Sequence, residues 1–279
     1  MADTFNRIAE YGKQIDFGKT ADDYGCYRAG FPDQLYRRLE KLGVGLRRQR
    51  VLDLGTGTGY LGRGFARQGC RVTGLDISPA LMQEARRLDA AEGLAMCYVR
   101  AQAEALPFGD HSFDVVGAGQ CWHWFDRRRA ALEARRLLTP GGLMVIASFD
   151  WIALPGNVVE ATEQLILKHN PKWALAGGMG IHPAFARDAA IAGFGDIECF
   201  SFDVLQPYSH EAWRGRIRAS AGIAASLGPQ EVASFDDELR ATLARRFPER
   251  ALPEDPMRVH HRTFAMVCRV PLDARRDTD

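Results

Sequence analysis

The chain has 279 residues, 46% of them hydrophobic, which suffices for one full α/β core with an elaboration and by length alone allows one or two domains. Its 36 basic and 35 acidic residues give no electrostatic footprint for nucleic acid or an anionic membrane. The six cysteines (Cys26, Cys70, Cys97, Cys121, Cys199 and Cys268) stand singly, without a Cys-x-x-Cys pair or metal-ligand spacing to histidine, so reduced thiols and no metal centre are expected.

The first residues, MADTFNRIAEYGKQIDFG, contain no apolar signal region. No segment approaches the ~20 apolar residues of a transmembrane helix, and a cytoplasmic protein is expected. Residues 1–47 read as a polar-aromatic arm able to fold over a site, with a helix at 33–42.

The next stretch, VLDLGTGTGYLG from Val51 to Gly62, is the most informative of the chain. Val51, Leu52 and Leu54 suit a buried parallel strand, and residues 60–68 read as a helix. Between them Gly55, Gly57 and Gly59 permit backbone angles and close ligand approach that a Cβ would block. Such a turn suits an adenosine-bearing molecule. Asp53 shifts the reading toward S-adenosylmethionine (SAM), which carries an ammonium and a sulfonium, whereas the pyrophosphate of a dinucleotide prefers helix N-terminal N–H groups without a carboxylate beside them. A nicotinamide dinucleotide remains the competing reading, because Gly57, Gly59 and Gly62 satisfy G-x-G-x-x-G. The first glycine of that fingerprint should follow the strand directly; here it is Gly55, whose matching third position is Tyr60. A glycine-rich turn with no ligand is the third reading.

Residues 70–77 form a second strand ending in Asp76, an acid at a strand end that can accept two hydroxyl hydrogen bonds from a ribose. Ser78-Pro79 supplies an N-cap and first turn for a helix to about residue 91. Strands follow at 95–99 and 113–119, then a helix at 127–138 that ends on Thr139-Pro140-Gly141-Gly142, and a fifth strand at 143–149. Strict strand and helix alternation predicts a Rossmann-like α/β fold, a mostly parallel seven-stranded sheet with helices on both faces and ligands at the carboxyl ends of the strands. Beyond residue 150, a helix at 183–192 and strands at 197–204 and 263–270 complete the sheet. Helical patterns at 210–226 and 231–246 fill a connection too long for a hairpin. The expected organisation is an arm at 1–47, a cofactor-binding core at 48–150, and a C-terminal completion at 151–279 with cap insertions at about 151–182 and 205–258.

Five ordered motifs resemble the class I SAM-dependent methyltransferases, specifically the small-molecule group with ubiquinone-type, malonyl-carrier-type and trans-aconitate-type members. They are VLDLGTGTG, LDIS with Asp76, AQAEALPFGDHSFDVV from Ala101 to Val116, QCWHWFD from Gln120 to Asp126, and LLTPGGLMVI. The resemblance spans residues 24–150. It implies that the methionine end of SAM lies against Gly55, Thr56, Gly57, Gly59 and the Asp53 region, with the ribose on Asp76. Ile77 and Met82 would pack the purine. Gln102 stands where the family usually has an aspartate for the adenine amino group; its amide oxygen can still accept that bond, and Ala103 would supply a backbone contact. Gln120 would lie beside the sulfonium. Tyr24, Tyr27 and Arg28 match an N-terminal Y-x-x-Y/F-R pattern, in which Arg28 pairs with the SAM carboxylate and a tyrosine faces the sulfonium.

Methyl transfer from a sulfonium is an in-line displacement that needs a nucleophile held close to the methyl carbon and water kept out. An oxygen or nitrogen nucleophile of high pKa also needs a base, and His123 and His182 are the candidates as base or substrate anchor. Trp122, Trp151 and Trp213 are candidates for the acceptor pocket, together with Tyr24; in the cap, Trp173, Met179, Arg214, Arg216 and Arg218 would suit a planar or carboxylated metabolite. His260 and His261 are adjacent on or before a strand, so their side chains should diverge. The expected partner is a small-molecule methyl acceptor, with no nucleic acid and no membrane. A nicotinamide-dependent oxidoreductase and a non-catalytic SAM-binding protein are the alternatives.

Overall fold

The computed structural model describes residues 25, 27, 29–248 and 256–272. Tyr24 and Arg28, two of the residues expected in the arm's contact with ligand, lie outside the described residues. The chain divides into two compact units, a larger one of Gly30–Ser148, His182–Ser201 and Phe264–Asp279, and a smaller one of Met1–Ala29, Phe149–Ile181 and Phe202–Thr263.

The strands are β1 (Arg50–Leu54), β2 (Arg71–Asp76), β3 (Cys97–Arg100), β4 (Phe113–Gly119), β5 (Leu138–Trp151), β6 (Gly195–Tyr208) and β7 (Met257–Arg269). They form one seven-stranded sheet in the order β3-β2-β1-β4-β5-β7-β6. Pairing is parallel from β3 through β5. Strand β7 runs antiparallel to β5: Gly141 pairs with Val270 near one end, and Ile152, just past β5, with His260 at the other.

In the larger unit, helices α1 (Asp33–Lys41), α2 (Tyr60–Arg67), α3 (Pro79–Ala91), α4 (Arg127–Leu137) and α6 (Pro183–Ile191) accompany these strands. Leu52, Leu54, Val116, Ala118 and Met144 are almost fully buried in the sheet, as the continuous apolar runs of parallel strands require. Helix α1 reaches the same core through Tyr36, whose ring meets Phe65 edge-on at 5.4 Å and whose hydroxyl donates to the Tyr60 carbonyl at 3.0 Å. Gly64 makes this approach possible, since a Cβ there would collide with the Tyr36 ring. Helix α3 starts as the sequence predicts, with the Ser78 side chain accepting from Leu81 N and Pro79 in the first turn.

One expected boundary is displaced. Residues 138–142 do not close α4 as a separate turn but belong to β5. Phe113 pairs with Leu138 and Val115 with Leu143, so the intervening residues bulge out of register. The bulge is held by β7: Gly141 N donates to Val270 O and Val270 N donates to Gly142 O. The glycines read as a helix stop thus serve a β-bulge.

The smaller unit contains α5 (Val158–His169), α7 (His210–Arg218) and α8 (Pro229–Arg246). Asn157 caps α5 by accepting from Glu160 N. Arg214 and Arg218 both bind Asp236 across α7 and α8; they are joints between helices, where the sequence suggested groups suited to a carboxylated metabolite. Strand β7 begins six residues earlier than expected and includes His260 and His261. His260 points to Asp203 at 3.0 Å, while His261 is buried against Phe149 with ring centroids 4.8 Å apart. Their side chains diverge, and burial pushes the His261 pKa down to about 4. Among the described residues, no helix is long and apolar enough to cross a membrane, and no cluster of potential metal ligands occurs.

Candidate active site

The glycine turn between β1 and α2 sits in the larger unit at the carboxyl end of the sheet. Gly55, Gly57 and Gly59 have φ of +56°, +55° and +84°, the left-handed region in which a side chain is strained. At two of these positions the protein itself occupies the space beside the backbone. A Cβ on Gly55 would come within 2.9 Å of Cys121 and 3.0 Å of Phe125, and one on Gly59 within 3.1 Å of the Tyr98 hydroxyl. Thr56 N donates to Leu75 O, and Gly59 N to Thr56 O, closing the turn on itself and on β2.

Asp53 lies beneath this turn at 1% exposure. Its Oδ2 accepts from the Thr56 hydroxyl at 2.7 Å and from Gly62 N at 3.0 Å, whereas Oδ1 is buried without a hydrogen-bond partner among the described residues. Burial, first of all, raises its pKa to about 7 against those two bonds. The acid therefore braces the turn from inside; the direct approach to a ligand expected from the sequence is not what its burial presents.

Asp76 closes β2 and reaches the turn from the other side. Its Oδ2 accepts from Gly57 N and its Oδ1 from Ser78 N, each at 2.8 Å. Burial raises its pKa while these N–H groups oppose the shift. Each carboxylate oxygen retains a further lone pair, so the group can accept a pair of hydroxyls in addition. Beside it Ile77 is 64% exposed, a large apolar side chain held at the strand end. Met82, expected with Ile77 as purine packing, is instead 4% exposed in the core.

The loop after β3 is fastened to the same strand end, because Ala101 N donates to Asp76 O. Gln102 follows it and is exposed, while Ala103 is buried. Glu104 accepts from Asp126 N at 2.8 Å, tying this loop to the cap of α4. At the end of β4, Gln120 has φ of +61° and is half-buried, with its N–H donated to Ala147 O. A non-glycine residue held left-handed at a ligand edge stores strain of about 1 kcal/mol or more.

The aromatic residues divide differently from the expectation. Trp122 is 1% exposed and its Nε1 donates to Asp188 Oδ2 at 3.1 Å, with Arg127 on the same oxygen. It packs between the turn after β4 and α6, buried rather than presented at the surface. Trp213 is 0% exposed, with Nε1 donating to Thr162 Oγ1 at 3.0 Å, and is likewise core rather than acceptor contact. Trp151 is half-buried; its Nε1 donates to Glu163 and Arg216 lies 4.7 Å over its ring. Tyr27 belongs to the smaller unit, where its ring sits on Gly215 and under Arg218.

His123 is half-buried with its ring 4.4 Å from that of Trp124. His182 occupies the N-cap position of α6 and stacks on Phe185 at 4.8 Å and 9°. The sequence reading missed Arg63, Asp89 and Tyr98, which meet behind the glycine turn. The available signal was a charged residue inside the buried run Leu61–Phe65 of α2.

The sheet order, the left-handed glycine turn and the acid closing β2 define a class I methyltransferase fold. Residues 52–146 match the methyltransferase domain family. The chain is 38% identical over 107 residues to the malonyl-[acyl-carrier protein] O-methyltransferase of Enterobacter lignolyticus, covering 38% of this chain and 41% of the relative. It is 38% identical over 150 residues to the demethylmenaquinone methyltransferase of Thermus thermophilus, covering 53% and 60%. The chain thus spans between two fifths and three fifths of these relatives' lengths. Phosphoethanolamine N-methyltransferase 2 of Haemonchus contortus, solved with phosphomonomethylethanolamine and S-adenosylhomocysteine, superposes with a TM-score of 0.53 at 20% identity over 90% of this chain and 57% of that one.

Proposed function

We propose that the protein is a SAM-dependent methyltransferase that transfers a methyl group to an oxygen, nitrogen or carbon of a small organic metabolite by in-line displacement. The observation that carries this reading is Asp76, an acid bound through both oxygens to backbone N–H groups, one of them from the glycine turn. That arrangement fixes a hydroxyl acceptor beside the turn, as a ribose requires. The second acid, Asp53, is buried beneath the turn with its pKa raised to about 7, and braces the turn through Thr56 and Gly62.

The residues present fit SAM. Asp76 would hold the ribose, exposed Ile77 and Gln102 the adenine face and edge, and the turn from Gly55 to Gly59 the methionine end, with Gln120 on the sulfonium side. The bound cofactor supplies a methyl carbon made electrophilic by the sulfonium. The work of the chain is to orient that carbon, hold the acceptor in line and exclude water. His123 and His182 are the proton acceptors for a nucleophile of high pKa; a carboxylate acceptor needs none. The relatives named for methylation of a carrier-bound malonyl group and of demethylmenaquinone support acceptor screening among carboxylates and quinone precursors.

The experiment is release of S-adenosylhomocysteine from SAM across a panel of such acceptors. Acceptor-dependent release by the wild type supports the reading; SAM binding without release from any acceptor class assigns a binding protein instead.

A further inference from the structure

Beside the glycine turn lies a buried charged group that the proposed chemistry does not use. The Arg63 guanidinium is 3% exposed. Both of its terminal nitrogens donate to the Thr58 carbonyl, the central peptide of the turn. One of them also meets Asp89 Oδ1 at 3.3 Å, and Nε lies 3.4 Å from Glu92. Asp89 is 3% exposed and accepts from the Tyr98 hydroxyl at 2.7 Å through its other oxygen. The Tyr98 hydroxyl and the Arg63 nitrogens stand 3.1 and 3.3 Å from where a Gly59 Cβ would be.

Such a network is costly to bury. Ion pairs of this kind are often neutral or destabilising relative to apolar residues of similar volume, so stability alone is a weak reason for placing one here. Its point of action is specific: among the described residues, the backbone atom the guanidinium grips is the carbonyl of Thr58, between two glycines with left-handed φ. Glycines reach several conformations at little cost, and a bidentate grip on the peptide between them selects one. Gly57 N then faces Asp76, and Gly59 N faces Thr56 O.

We propose that Arg63, held by Asp89 and Tyr98, is a positioning residue that sets cofactor affinity by fixing the peptide between Gly57 and Gly59. The inference rests on the SAM reading above, and the test separates the two. S-adenosylhomocysteine is titrated into the wild type, into Arg63→Lys, and into Arg63→Met combined with Asp89→Leu, with thermal melting and amide hydrogen exchange of residues 56–60 recorded for each. Lysine keeps the charge beside Asp89 but loses the fork. The double variant removes the whole ion pair and leaves no isolated buried charge.

Loss of one charge-assisted grip predicts affinity weakened by about tenfold or more in both variants. Faster exchange at Gly57 and Gly59 should accompany it, together with a melting temperature in the double variant close to the wild type. Wild-type affinity and exchange in a folded variant overturn the positioning role while leaving the SAM reading intact. Weakened affinity that merely tracks a falling melting temperature assigns the network to stability and also overturns it. A wild type that binds no S-adenosylhomocysteine overturns both.

Discussion

Asp76 accepts the backbone N–H of Gly57 at 2.8 Å across 19 residues of sequence, which couples the acid at the end of β2 directly to the centre of the glycine turn. The acid proposed to take the ribose and the turn are therefore one mechanical unit. Asp76→Ala removes the proposed ribose contact and leaves the N–H groups of Gly57 and Ser78 without that acceptor. Titration should show S-adenosylhomocysteine affinity reduced about a hundredfold, with stability lowered by about 1 to 3 kcal/mol. Asp76→Asn retains an acceptor on only one side and should fall between.

Asp53 gives a pH signature. Its pKa rises from 3.8 unfolded to about 7 folded, so between these values the native state holds a proton that the unfolded state has released. Stability from this group is complete below about pH 4, declines as pH rises, and is lost above about pH 7. Asp53→Asn keeps the acceptor for Thr56 and removes the titration. Melting curves from pH 4.5 to 8 should show the wild type losing stability relative to the variant as pH rises; parallel curves contradict the assignment.

Gln120 carries left-handed backbone at the ligand edge. Gln120→Gly relieves that strain and should stabilise the protein by about 0.5 to 1 kcal/mol in denaturant unfolding, net of the added freedom of the unfolded chain. If its side chain stands beside the sulfonium as proposed, turnover falls in the same variant. A variant less stable than the wild type would contradict the strain.

Trp122 illustrates the opposite case. With 1% exposure and its N–H on Asp188, Trp122→Ala should cost about 3 to 5 kcal/mol in urea unfolding. Trp122→Phe should cost less and leave the KM of any acceptor unchanged. A raised KM with unaltered stability would restore Trp122 to the acceptor pocket.

These residues also show how far the sequence could be read. The strands at the sheet centre and the glycine turn were legible because parallel strands are unbroken apolar runs and left-handed turns demand glycine. The link between Asp76 and the turn was legible only in part, since the sequence places an acid at the end of β2 but not its bond to Gly57 N. Burial was not: Asp53 and Met82 were assigned to the ligand side, yet both face inward, since the side of a turn on which a residue falls depends on tertiary packing. Trp122 and Trp213 looked like pocket walls because aromatic residues are equally at home in cores, and only their bonds to Asp188 and Thr162 decide it. Helix α5 escaped because VVEATEQLILKH mixes β-branched and apolar residues without a clean face. The Arg63, Asp89 and Tyr98 group draws on two helices and a strand, so no local pattern reveals it.

The most direct test of the central claim, that this turn and Asp76 hold SAM, is a calorimetric titration of the wild type with S-adenosylhomocysteine, with NADH as the matched control. The account predicts micromolar binding of the former and none of the latter. NADH binding alone would contradict it, and with it the assignment of this turn to SAM.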